Sequence, residues 1–199
     1  MTVKAHSTRD NIVDVARDLF YRQGFDATSY GDIALQAKVG KGNVHYYFKS
    51  KDELLTAVVA RRMSQISQLL EEWSLSCGTP YDCLERFVAM IENNGGDLIR
   101  YGCPMGTLNG ELGKDHQALQ AVSREMFDLF LRWLEARFLA IMPRAQAREH
   151  AEHLMVMAQG ASVMAHTYGE HEILRRQAGM MRTWLARVCD ADSIGRCNI

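Results

Sequence analysis

Proline is scarce in this chain, and the scarcity is informative. Three prolines in 199 residues leave long stretches unbroken, which favours long helices over a turn-rich β-sandwich. No run of about 18 apolar residues occurs, so a membrane-spanning helix is not expected. Met1 to Asp10 is polar and lacks the apolar core of a signal peptide, which makes the cytosol the expected compartment. The five cysteines (Cys77, Cys83, Cys103, Cys189 and Cys197) are odd in number and form no Cys-x-x-Cys pair. They read as thiols, not as a disulfide framework or a structural zinc site. Nucleophile elbow, phosphate loop and dinucleotide fingerprint are all missing. His150 and His153 stand three apart beside Glu149 and Glu152, but no third ligand has convincing spacing, so they are expected on a solvated polar face. No catalytic residue, metal or cofactor is therefore expected, and an enzyme is the least favoured class.

What is present is a core and a charge asymmetry. Hydrophobic residues make up 47% and charged residues 24% of the chain. Residues 1–62 carry ten Lys or Arg against seven Asp or Glu, while residues 63–199 carry thirteen against seventeen. A mildly basic head on a mildly acidic body fits a head that meets nucleic acid.

The periodicity is helical throughout. Ile12, Val13, Ala16, Leu19 and Phe20 share one face of a first helix that Gly24 closes, with Phe25 folding back on it. Ser29-Tyr30-Gly31-Asp32 reads as a capping box that opens a short helix. Lys41-Gly42-Asn43-Val44-His45-Tyr46-Tyr47 forms a second, and a long helix follows from Lys51 to about Trp73. Thr79, Pro80 and Asp82 start the next. Further helices are expected near 104–113, over about 115–142, from Pro143 to about Thr167, and over about 171–189. The expected fold class is all-α: a three-helix head with a helix-turn-helix, residues 1–50, and a larger helical body, residues 51–199.

Two short helices across a tight turn, stacked on an amphipathic first helix, make a helix-turn-helix whose second helix enters a major groove. Val44 and Phe48, four apart, anchor it. That leaves Lys41, Asn43, His45, Tyr46 and Tyr47 as hydrogen-bonding groups, with Lys41 and Asn43 as the best base-edge candidates. Lys49 and Lys51 flank the duplex backbone.

The stretch Ile12–Leu55, with RQGFDATSYGDIALQAKVGKGNVHYYFKSKDELL inside it, resembles the tetracycline-repressor (TetR) family. The resemblance implies phosphate contacts at Ser29, Tyr30, Tyr47 and Lys51. Three positions depart from the family pattern: Lys38 replaces a turn glycine, Gly40 a Ser or Thr cap, and His45 a tyrosine. The resemblance also implies a ligand-binding and dimerisation body and a ligand-responsive regulator, most readily a repressor released from a palindromic operator. A constitutive DNA-binding protein without effector is the alternative. The implied partners are double-stranded operator DNA, a small-molecule effector and a second copy of the chain, with no membrane.

In the body, Trp73, Met90, Phe127, Phe130, Trp133 and Phe138 are pocket-lining candidates that compete with a plain core role. Ala158, Ala161 and Ala165, with Met180, Met181, Trp184 and Val188, are the expected dimer interface. GCPMGTLNGEL resembles a Gly-Cys-x-x-x-x-Leu segment in one subgroup of the family that senses electrophiles through a cysteine. With Pro104 at the first helical position, Cys103 is the expected N-cap of a short helix and a candidate sensing thiol.

Overall fold

The computed structural model describes residues 7–195, with side chains as far as Cys189. Cys197 lies outside the described residues. Ten helices make up the described chain: α1 Thr8–Gln23, α2 Tyr30–Ala37, α3 Lys41–Tyr47, α4 Lys51–Ser76, α5 Pro80–Asn93, α6 Gly95–Tyr101, α7 Pro104–Asp115, α8 Gln117–Leu139, α9 Arg144–Tyr168 and α10 His171–Gly195. No strand occurs among the described residues, and no helix there is long and apolar enough to cross a membrane. The fold is all-α.

The helices divide into two compact units. The first holds the chain up to Gln65 together with Thr107–Met126, and the second holds Ile66–Gly106 with the chain from Phe127 onward. The first unit is thus larger than a head ending at residue 50, because it takes in part of α4 and a later stretch of α7 and α8.

In the first unit the local signals act as their chemistry dictates. The Ser7 hydroxyl accepts the Asp10 amide to open α1, and Gly24 closes it at φ 93°. Phe25 turns back so that its ring meets Phe20 edge-on, 5.2 Å between centroids. A capping box opens α2: the Ser29 hydroxyl accepts the Asp32 amide while the Asp32 carboxylate accepts the Ser29 amide. Ile12, Ala16, Ile33, Val44, Phe48, Leu54 and Leu55 close the core beneath these helices. Arg61 on α4 reaches Asp10 at 3.0 Å and Asp14 at 2.7 Å, which ties α4 to α1.

In the second unit α10 packs on α5 and α9, and α6 packs on α9. Thr79 and Asp82 form the expected capping box before α5, with Pro80 at its first turn. Arg182 on α10 pairs with Glu85 at 2.8 Å and Glu92 at 2.9 Å on α5. The Trp133 indole donates to the Leu70 carbonyl at 3.1 Å and the Ser74 hydroxyl at 2.9 Å while its ring meets Trp73 edge-on.

Glu149, Glu152 and His153 are exposed, as expected of a solvated face, and His150 is half-buried, with both imidazoles meeting aromatic rings. His150 meets Phe138 and Trp184 at centroid distances of 5.8 and 5.5 Å, and His153 meets Trp184 at 5.0 Å. An indole offers these imidazoles an apolar surface that bulk water does not, so they pack on it.

Candidate DNA-binding face

α3 is short, so its exposed face is set by what anchors it. Val44 and Phe48 are fully buried, and this leaves Lys41, Gly42, Asn43, His45 and Tyr46 on the outside, with Tyr47 half-buried. Tyr46 is 72% exposed, unusual for an aromatic with no packing task to perform. Its ring meets Tyr47 at 5.1 Å, and the Lys49 ammonium lies over it. The exposed row is a cation, an amide, an imidazole and a phenol, each able to reach a base edge or a phosphate.

Gly40 caps α3 with no side-chain hydrogen bond, and Lys38 ends α2 in the left-handed region at φ 56°, ψ 42°. The turn between α2 and α3 is therefore made with a lysine in the conformation that glycine adopts freely. The Lys49 ammonium donates to the His45 and Tyr46 carbonyls and so closes the far end of α3. The Glu53 carboxylate accepts the Lys49 amide while the Ser50 hydroxyl accepts the Glu53 amide, which starts α4.

Several residues expected to touch phosphate have other partners. The Ser29 hydroxyl is occupied with Asp32. Tyr30 is half-buried, donates its hydroxyl to the Phe48 carbonyl at 3.2 Å and packs on the His45 ring at 4.7 Å. Burial, and then the negative charges of Glu53 and Asp52, push its phenol above its usual value, so it stays a neutral donor.

Lys51 likewise has partners of its own. Its ammonium donates to the carbonyls of Phe25, Asp26 and Thr28 at 3.0, 3.2 and 3.3 Å and lies over the Phe25 ring at 4.5 Å. All three of its donors are engaged by the α1–α2 loop, so in this structure it braces that loop and presents no ammonium to a phosphate.

The same loop is held from its other side by residues the sequence reading missed. The Glu111 carboxylate accepts the Phe25 and Asp26 amides at 3.0 and 2.9 Å, and the His116 ring lies 3.0 Å from the Asp26 carboxylate. Loop carbonyls are thus bound by a cation and loop amides by an anion. The partners are 85 or more residues apart in the chain, a separation at which no local pattern exists to find them.

For the body candidates, pocket lining competes with a core role, and Phe130 and Trp133 pack in the core. Phe130 packs edge-on against Phe87, and Trp133 is a hydrogen-bonded core tryptophan, so both serve the core; Phe127 is half-buried. Ala158, Ala161, Ala165 and Met181 are each at most 4% exposed within one chain, so they pack α9 and α10 internally, and Ala161 also lines the groove beside Met157, Gly160 and Met164. Small side chains at this spacing bring two helices of the same subunit together. Trp184 is taken up by the His150–His153 cluster, and Val188 is half-buried. On α9 and α10 the large apolar side chains left exposed are Val156, Val163, Met164, Tyr168 and Met180.

Two family models match. One describes bacterial regulatory proteins of the TetR family and covers residues 12–58; the other describes the C-terminal domain of LmrA/YxaF-like transcriptional regulators and covers residues 80–180. The chain belongs to the TetR family of transcriptional regulators. An HTH-type transcriptional repressor of Mycobacterium tuberculosis is 34% identical over 134 residues, 65% of this chain and 67% of its own. An uncharacterised HTH-type regulator of Lactococcus lactis is 24% identical over 92% of this chain and 95% of its own. A TetR transcriptional regulator of Legionella pneumophila shares the fold at a TM-score of 0.81 with 20% identity, covering 92% of this chain and 98% of that one. TetR regulators bind operator DNA and small-molecule effectors, usually as dimers, and are not enzymes.

For this TetR regulator, Cys103 is buried directly before α7, and Gly106 lies close against it: a Cβ on Gly106 would sit 3.8 Å from the Cys103 sulfur. The residue directly precedes α7, and its thiol is packed rather than presented.

Proposed function

We propose that this regulator is a dimeric repressor that a small molecule releases from a palindromic operator. The observation that carries the reading is the outer face of α3, where Lys41, Asn43, His45 and Tyr46 project from a helix fixed by the fully buried Val44 and Phe48. Lys41 and Asn43 read base edges, with Lys suited to guanine acceptors and Asn to adenine. Tyr46 and Tyr47 contact the adjoining backbone, and Ser29 and Tyr30 orient the helix pair through their internal hydrogen bonds.

Dimerisation is supported by the apolar side chains outside α9 and α10. Val156, Val163, Met164, Tyr168 and Met180 are all exposed, and a groove of about 580 Å³ runs past Met157, Gly160, Met164, Tyr168, Ile173 and Arg176. Such a face on a second copy supplies the cover it lacks. Two copies also meet the geometric need for recognition helices about 34–36 Å apart. Effector binding in the helical body then shifts the spacing of the heads, and effector and operator weaken each other reciprocally. The burial of Cys103 supports small-molecule binding over modification of that thiol as the trigger.

Duplexes from the region flanking the gene, titrated by fluorescence anisotropy at fixed salt, test this. One site is expected to bind more tightly than scrambled DNA, and Lys41→Ala and Asn43→Ala are each expected to lose about 10- to 100-fold of that preference. Binding that depends on salt alone, with no preferred sequence, sinks the reading.

A further inference from the structure

The α4–α5 turn places two of the cysteines against each other. Cys77 directly follows α4, and Cys83 lies in the first turns of α5. Between them Gly78, Thr79 and Pro80 reverse the chain, and the Thr79–Asp82 capping box fixes the reversal. One carbonyl, that of Trp73, accepts both the Cys77 amide at 2.9 Å and the Cys83 thiol at 3.8 Å. The Cys77 backbone and the Cys83 thiol thus meet at one carbonyl, and Cys77 and Arg137 are the two side chains whose electrostatics bear on the Cys83 thiol. The Arg137 Nε is buried and has no hydrogen-bond partner among the described residues, while its guanidinium lies over the Trp133 ring. Cys77 is half-buried and Cys83 is 2% exposed.

We propose that Cys77 and Cys83 are a reactive dithiol, oxidised reversibly by hydroperoxides to an intramolecular disulfide that clamps the α4–α5 turn. Cys77, the more accessible sulfur, attacks the distal peroxide oxygen. The O–O bond breaks, an alcohol leaves with the Cys77 proton, and Cys77 becomes a sulfenic acid. The Cys83 sulfur then attacks the Cys77 sulfur; the S–O bond breaks and hydroxide leaves as water with the Cys83 proton. Two thiols lose two electrons and two protons in all, and the peroxide is reduced to alcohol and water.

The environment divides the roles. Burial first, and then the neighbouring Cys77, raise the Cys83 thiol to about 11, so it stays protonated until Cys77 has reacted. Arg137 opposes that rise and stabilises the thiolate as its proton leaves. Cys103, singled out from sequence, is buried, whereas Cys77 is half-buried.

A single tryptic peptide, Met63–Arg86, carries both residues. The full-length protein is treated with tert-butyl hydroperoxide, blocked with N-ethylmaleimide and digested. The expected product is that peptide two hydrogens lighter and unalkylated, restored to the dithiol by reductant. Cys77→Ser abolishes the mass loss. Cys83→Ser leaves a sulfenic acid on Cys77 that dimedone traps, and Cys103→Ser leaves the mass loss unchanged. The readout on the unsubstituted chain stands even if a variant folds poorly. A Met63–Arg86 peptide that stays fully alkylated, or that gains oxygen without losing hydrogen, overturns the proposal, as does oxidation that falls first on Cys103 or Cys189.

Discussion

At the scale of single residues, Lys38 is the plainest case of a side chain in a conformation it does not favour. It is the one non-glycine residue with positive φ among those described, and it stands at the turn of the helix-turn-helix. A left-handed residue with a Cβ costs roughly 1–2 kcal/mol, partly offset in a Lys→Gly change by the extra freedom of glycine when unfolded. Lys38→Gly is accordingly expected to stabilise the first unit by about 1 kcal/mol or less, read as a rise in the chemical denaturation midpoint. An unchanged or lowered midpoint refutes the strain. Asp10 and Asp32 carry the acid response of the same unit. The Ser7 hydroxyl, and then the Arg61 charge, hold the Asp10 carboxyl below the usual carboxylate range; the Ser29 hydroxyl and amide do so for Asp32. A carboxyl with a depressed value in the folded state binds its proton more readily when unfolded, so its stabilisation is full above about pH 4 and lost as the pH falls below that. Thermal scans between neutral pH and pH 3 are expected to show a falling melting temperature, and a shallower fall in an Asp10→Asn, Asp32→Asn double variant. Equal slopes would show that these two carboxyls do not carry it.

At the scale of elements, the α1–α2 loop is held by a cation on its carbonyls and an anion on its amides. Both capping boxes, Ser29 with Asp32 and Thr79 with Asp82, were legible in the sequence because donor and acceptor stand three residues apart. Glu111 was not legible, because its partners Phe25 and Asp26 lie in another part of the chain. Lys51 matches a phosphate-contacting position of the family in sequence, and only the fold reveals the carbonyls that surround it. Replacing Glu111 with Ala strips two amides of a charged acceptor, which costs about 1–3 kcal/mol where the groups are sheltered from water. The expected results are faster hydrogen exchange at residues 24–29 and a severalfold loss of operator affinity with the helical content unchanged. Unaltered exchange at the loop would mean that Lys51 holds it alone.

At the scale of the whole molecule, the outer faces of α9 and α10 bear on assembly. Ala158, Ala161 and Ala165 pack against the neighbouring helix of their own chain, and Ala161 also borders the groove on the outer face. The outer residues Val163, Met164, Tyr168 and Met180 have the longer side chains that another copy can cover. Met164→Glu with Met180→Glu places like charges on that face. The pair is expected to give a folded monomer in light scattering, with operator affinity reduced about a hundredfold or more as two-site binding is lost. A dimer that survives both changes would locate the interface elsewhere.

The sequence alone determined the helical class, the helix-turn-helix, the family and most helix ends, because each rests on interactions between residues within a few positions of one another. It also separated Val44 and Phe48, which anchor the recognition helix, from the residues that face outward. Tertiary structure alone decided which polar groups were already engaged, as with Lys51, Tyr30 and Ser29, and which small residues were spent inside one chain. It also drew attention from Cys103, whose flanking residues are distinctive, to Cys77 and Cys83, whose flanking residues are ordinary. Reactivity depends on what a group faces, and across the α4–α5 turn that is set by how the helices pack.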